Sequence, residues 1–155
     1  MSEPARLADQ IRRAFEGEAW HGDSVLEILA GVDPKTAAVH PIKDAHSIWE
    51  LVLHIAAWDG AVLRRTHGTA VQLTDEQNFP AVNDTGEAAW QKAVEYLKAT
   101  HNDLVTAVAG FPESRLLDPV PGKTEKYYNF FYMFGGIVQH ELYHAGQIAL
   151  LKKFR

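Results

Sequence analysis

Near the end of the sequence, Met133, Ile137, His140, His144, Ile148 and Leu151 recur at the three-or-four-residue step of an amphipathic helix. This stripe constrains the fold more than any other feature, because two of its inward positions are imidazoles. On an α-helix, positions 140 and 144 lie ~40° apart around the axis and ~6 Å apart along it, so both rings can reach one metal ion. An imidazole on a buried face needs a partner, since an unsatisfied buried polar group costs stability. Hydrogen bonds within a core would meet that need. So would a divalent ion, given a third ligand from elsewhere in the chain.

Three further stripes share the same period. The first helical region, residues 3–30, carries Leu7, Ile11, Ala14 and Phe15, and is interrupted by Gly17 and Gly22 around Trp20-His21. It resumes at Ser24, with Glu27 placed to complete a capping box, and runs through Val25, Ile28, Leu29 and Val32 to a stop at Asp33-Pro34. A helix over 47–66 opens with the pair Ser47 and Glu50 and carries Ile48, Leu51, Val52, Ile55, Trp58 and Val62. A third, over 85–109, opens with the pair Asp84 and Glu87 and carries Trp90, Val94, Leu97, His101, Leu104, Val105 and Val108. The last spans 129–153, follows the aromatic run 127–134, and ends in Lys152, Lys153 and Arg155, charges suited to a helix C-terminus. No stretch alternates with a strand period. The chain therefore reads as one all-α domain over 1–155, a four-helix bundle. Its connections, at 33–46, at 68–84 and through Pro119, Pro121 and Gly122, are longer than an up-and-down bundle needs and predict crossovers.

With no cysteine in the sequence, disulfides, iron–sulfur clusters, thiolate metal sites and a cysteine nucleophile are excluded, and any thiol must arrive with a co-substrate. The net charge of −5 and the lack of a basic run argue against nucleic acid. Neither a signal segment nor a run of membrane-spanning length is visible, so a cytoplasmic protein is expected.

His140-Glu141-Leu142-Tyr143-His144 matches the zinc-peptidase pattern, in which a glutamate between two zinc-binding histidines is the general base. Only eleven residues follow His144, too few for the usual downstream ligand, and in the extended form the third histidine would fall on Leu150. A peptidase is therefore disfavoured. Glu141 lies ~100° from His140 and ~60° from His144, so it is a candidate acid–base group or hydrogen-bond partner of the site, or else faces solvent. Outside this motif, His54 sits mid-helix on the shoulder of a core stripe, and His101 lies on the inward stripe of the third helix.

Residues 46–58, His-Ser-Ile-Trp-Glu-Leu-Val-Leu-His-Ile-Ala-Ala-Trp, and 140–148, His-Glu-Leu-Tyr-His-Ala-Gly-Gln-Ile, together with Trp20-His21-Gly22, resemble the DinB-like superfamily. These are metal-binding four-helix bundles that include YfiT-type metal-dependent hydrolases and bacterial low-molecular-weight-thiol transferases. The resemblance spans nearly the whole chain. It implies a bundle with crossover connections, often paired as a homodimer, and a divalent metal, zinc or nickel, held by His54, His140 and His144. Three protein ligands leave such an ion an open position.

The resemblance implies a thiol S-transferase-like enzyme acting on a small molecule, with a low-molecular-weight thiol as partner. A metal-dependent hydrolase and a non-catalytic metal- or small-molecule-binding stress protein are the alternatives. Among the other histidines, His101 reads as a core or pocket residue, His46 as helix-entry chemistry, His21 and His40 as connection residues, and His67 as exposed. The four tryptophans read as packing residues, with Trp58 closest to a pocket wall. The open side of the site is expected at a cavity near the second helix and the loop after the first.

Overall fold

Short oxygen-bearing side chains open nearly every helix. Ser2 begins α1 (Glu3–Glu16), Ser24 begins α2 (Val25–Leu29) and Asp33 begins α3 (Pro34–Ala38). Ser47 begins α4 (Ile48–Thr66), Thr74 begins α5 (Asp75–Asn78) and Asn129 begins α7 (Phe130–Leu151). Each accepts a hydrogen bond from a backbone N–H of the first turn, satisfying a donor that the helix itself cannot. The capping boxes read at Ser24–Glu27 and Ser47–Glu50 are both formed.

The box read at Asp84–Glu87 is not formed. α6 (Glu87–Ala109) starts later, on Gly86, so Glu87 is its first residue rather than its third, and Asp84 Oδ1 accepts from Gly86 N–H instead. Asp33-Pro34 is also no stop: α2 has already ended at Leu29, and Asp33 caps a new turn with Pro34 in its first position.

The computed structural model describes residues 1–154, so Arg155 lies outside the described residues. Those residues form helices, one 3₁₀ turn (Glu113–Arg115) and a single isolated bridge between Pro119 and Asn129. The all-α reading holds. α4 packs on α6 and α7, and α1 packs on the same two, so the four long helices close a ring. Consecutive long helices (α1 then α4, α6 then α7) fall across that ring from one another, which is why their connections are long. α2 and α3 seal one end against α7 and α4, and α5 lies on α4.

The core has two apolar halves with a polar layer between them. One half contains Phe15, Ile55, Leu97 and Ile148, and the other Ile11, Val62, Leu104 and Ile137. Between these levels, wholly buried, lie Asp59 of α4, His101 of α6 and Glu141 of α7. Trp49 and Trp90 pack together in the first half, as expected of packing residues. Trp20 does not: it is fully exposed, because the turn between α1 and α2 carries it away from the bundle. The aromatic run divides as helical geometry requires, with Phe130 and Phe134 buried and Tyr127, Phe131 and Tyr132 exposed.

Candidate metal centre

α4 and α7 pack so that the shoulder of one stripe meets the middle of the other. His54 from α4 and His140 and His144 from α7 each bring one ring nitrogen within 4.8 Å of the others'. The ring centroids are 4.9 Å apart for His54 and His140, 4.5 Å for His54 and His144, and 4.5 Å for His140 and His144. His54 and His144 are buried and His140 half-buried. The three residues named from sequence thus form one cluster able to hold a metal ion.

The protonation of the rings favours a ligand role. His54 Nδ1–H donates to the Asn78 carbonyl at 2.8 Å, which leaves the lone pair on Nε2. That Nε2 lies 2.9 Å from His140 Nε2. His144 Nδ1–H donates to Gln147 Oε1 at 2.6 Å, again freeing Nε2. Burial, with the neighbouring imidazoles His144 and His46 adding to it, lowers His54 to about 4. Burial and the charges of His144 and His54 lower His140 to about 3, and burial also lowers His144. All three are therefore neutral at pH 7, the state that coordinates a cation. A ligating imidazole that donates its other N–H to a carbonyl is a common support of metal sites, and His54 and His144 both have one.

The support comes from a segment read in sequence as plain loop. Residues 68–84 contain α5, whose last residue Asn78 gives its carbonyl to His54 and its side-chain Oδ1 to Trp58 Nε1–H at 2.8 Å. The next residue, Phe79, stacks on His54 at 4.1 Å on one side and on His46 at 3.7 Å on the other. The capping box Thr74–Gln77 was the available sequence signal for this turn.

Trp58 lines a cavity of about 240 Å³ that also has His140 in its wall. The rest of that wall comes from Val62 and Arg65 of α4, from Met133, Gly136, Ile137 and Tyr132 of α7, and from Tyr128 just before it. The loop after the first helical region, residues 33–46, reaches the edge of the site: His46 stacks on Phe79 and lines a cavity of about 340 Å³ with Gln147, the partner of His144. Trp20 and His21 line a separate cavity with Val138 and Leu142, which touches none of the three histidines.

Glu141 is wholly buried rather than solvent-facing, and it belongs to the polar layer, not to the imidazole cluster. Its Oε1 lies 3.1 Å from His101 Nδ1, and Asp59 Oδ2 lies 3.3 Å from the same nitrogen. His101 is thus a core residue, stacked on Phe15 at 3.8 Å. Burial opposes its charge, but the hydrogen bond to Asp59 and the close Glu141 carboxyl together outweigh burial and raise it to about 9. Burial raises Asp59 and pushes Glu141 up to about 8. His40 and His46 both reach Glu50 Oε2, at 3.0 and 3.4 Å, beside the entry of α4, and His67 is exposed at its end.

A ring of helices on which three neutral imidazoles converge defines an all-α protein with a cluster that could hold a metal ion. The family model described as the DinB superfamily matches residues 19–148, a span holding all three histidines, and the chain belongs to that superfamily. Neither the curated proteins nor the solved structures yield a match. Among the described residues, no helix is long and apolar enough to cross a membrane.

Proposed function

We propose that the protein is a divalent-metal-dependent enzyme acting on a small molecule, with thiol S-transfer as its reaction and zinc or nickel on His54, His140 and His144. The observation that carries this reading is the convergence of unprotonated imidazole nitrogens beside a cavity. When bound, such an ion would supply Lewis acidity at an open position, lowering the pKa of a thiol or a water placed there. The chain's own contribution is to hold the rings. Asn78 and Gln147 fix two tautomers, and Phe79 clamps the plane of His54. Trp58 and Tyr128 wall the cavity.

The position of Glu141 favours thiol transfer over hydrolysis. Its carboxyl lies against His101, so it is not poised to take a proton from water beside the imidazoles. A thiol, with a pKa of about 8.5 when free, needs far less help to ionise than water does. The test is transfer of a low-molecular-weight thiol to a small electrophile by zinc- or nickel-loaded protein, read as thiol consumption, beside ester and amide hydrolysis. Rates that rise with metal loading for thiol and not for hydrolysis are expected. Hydrolysis alone, or no turnover in loaded protein, would count against the reading.

A homodimer belongs to the same proposal. It is supported by the exposed aromatics Tyr127, Phe131 and Tyr132 on the first turn of α7 and just before it, of the kind enriched at interfaces. Sedimentation at roughly tens of micromolar protein should show the dimer; a monomer alone at that concentration would end the idea.

A further inference from the structure

Glycine is costly inside a helix, yet Gly136 stands within α7. Its backbone is not in the left-handed region that would call for glycine, and a Cβ built there meets nothing within 4 Å. Neither conformation nor packing therefore asks for glycine at this position. What the missing side chain does is keep open the cavity of about 240 Å³ that Gly136 lines together with His140.

The surfaces that a ligand can reach in this cavity are aromatic and carry no charge. Trp58, Tyr128 and His140 are half-buried and Tyr132 is exposed. The two tyrosine rings stand edge to face, 5.3 Å apart. Behind them lie Val62, Met133 and Ile137, all buried and apolar. The one charged side chain of the wall, Arg65, is buried, and its Nε, Nη1 and Nη2 already donate to the Val71 carbonyl and the Tyr128 hydroxyl. Among the described residues no carboxylate lines the cavity, and Lys123, 4.8 Å from the Tyr128 ring, does not join the wall.

We propose that this cavity holds the ring of the substrate, a neutral molecule with a single aromatic ring whose short polar arm points toward His140. The idea deepens the enzyme reading above and rests on it for which end of the molecule reacts. Volume sets the size: a cavity of roughly 150 Å³ admits benzene, so about 240 Å³ takes one ring with a short substituent. The walls set the kind of ring, because aromatic rings gain from edge-to-face and offset contacts beyond the area they bury. The lack of reachable charge sets neutrality, since an ionised ligand would shed water here without finding a counter-ion. Of the three clustered imidazoles only His140 is in the wall, and that fixes which end carries the arm.

The test is a proton–nitrogen NMR titration of the full chain freed of metal by chelator, so that no probe is held by an ion. The probes are benzyl alcohol, the aliphatic cyclohexylmethanol and the charged benzoate. Benzyl alcohol should bind about twofold or more tighter than cyclohexylmethanol, through aromatic pairing. It should bind about tenfold or more tighter than benzoate, whose charge finds no partner. The resonances that move should include the Gly136 amide and the Trp58 indole. The indoles of Trp49 and Trp90, packed together in the first half of the core, should stay in place. Gly136→Leu should abolish binding by filling the cavity, and it should fold, because leucine is the better helix former. Cyclohexylmethanol or benzoate binding as tightly as benzyl alcohol, no binding of benzyl alcohol, unmoved Gly136 and Trp58 resonances, or undiminished binding by Gly136→Leu would overturn the proposal. A separate zinc titration distinguishes the failures. Zinc binding without the ring preference sinks only the ring site, and the ring preference without zinc binding sinks only the three-histidine reading.

Discussion

Replacing His144 with alanine is expected to remove nearly all bound metal while leaving the helices intact. Removing an outer hydrogen-bond partner of a metal ligand weakens affinity roughly 10–100-fold, and loss of the ligand itself should exceed that range. The fold should survive because the neighbours of His144 on the inward stripe, Ile137, Ala145, Ile148 and Leu151, stay buried in place. Gln147→Leu gives the graded case: His144 keeps its nitrogen but loses the acceptor that fixes its tautomer, so metal should weaken within that 10–100-fold range. His54→Ala should behave as His144→Ala does. Metal content per chain by mass spectrometry, with zinc titration of the stripped proteins, reads all three. Stoichiometric metal retained by either alanine variant would falsify the three-histidine site.

The parts of this molecule that repeat were readable from sequence, and the parts that depend on long-range packing were not. The stripe through Ile137, His140, His144 and Ile148 located one half of the cluster, because helical periodicity assigns a face without knowing its partner. His54 needed the family resemblance as well, since its own stripe puts it on a shoulder rather than at the centre. Asn78 and Phe79 escaped notice because α5 is four residues long, and a polar turn of that length has no period to read. Arg65 was legible only as a basic residue near a helix end, since nothing local shows that a loop and a tyrosine sixty-three positions away enclose it. Glu141 shows the limit most clearly. Its motif suggests a role beside the histidines, while the packing of α6 against α4 sets His101 where the carboxyl finds a nearer partner.

The polar layer is expected to make the metal-free protein lose stability as pH rises from about 7 to about 9. His101 is raised to about 9 in the fold, from an ordinary value of about 6.5. A raised histidine contributes stability that is complete below about 6.5 and is lost as pH climbs through about 9. The carboxyls act with the same sign. Glu141, pushed up to about 8, holds a proton that the unfolded chain has already released, so rising pH favours unfolding, and burial shifts Asp59 in the same direction. His54, His140 and His144 have the opposite sign, since their values are lowered, but above pH 7 they are neutral both folded and unfolded and drop out. Thermal melts of chelated protein between pH 7 and 9 should therefore show a falling Tm. His101→Ala should cost about 3–5 kcal/mol at pH 7, the usual result of leaving buried acids without their cation, and should leave metal content unchanged. Replacing all three groups together with apolar residues (Asp59→Leu, His101→Met, Glu141→Leu) should flatten the pH dependence and recover much of that loss, because no charge is then left buried. A wild-type Tm that stays level from pH 7 to 9, or a His101→Ala variant as stable as the parent, would show that the layer does not hold these protons.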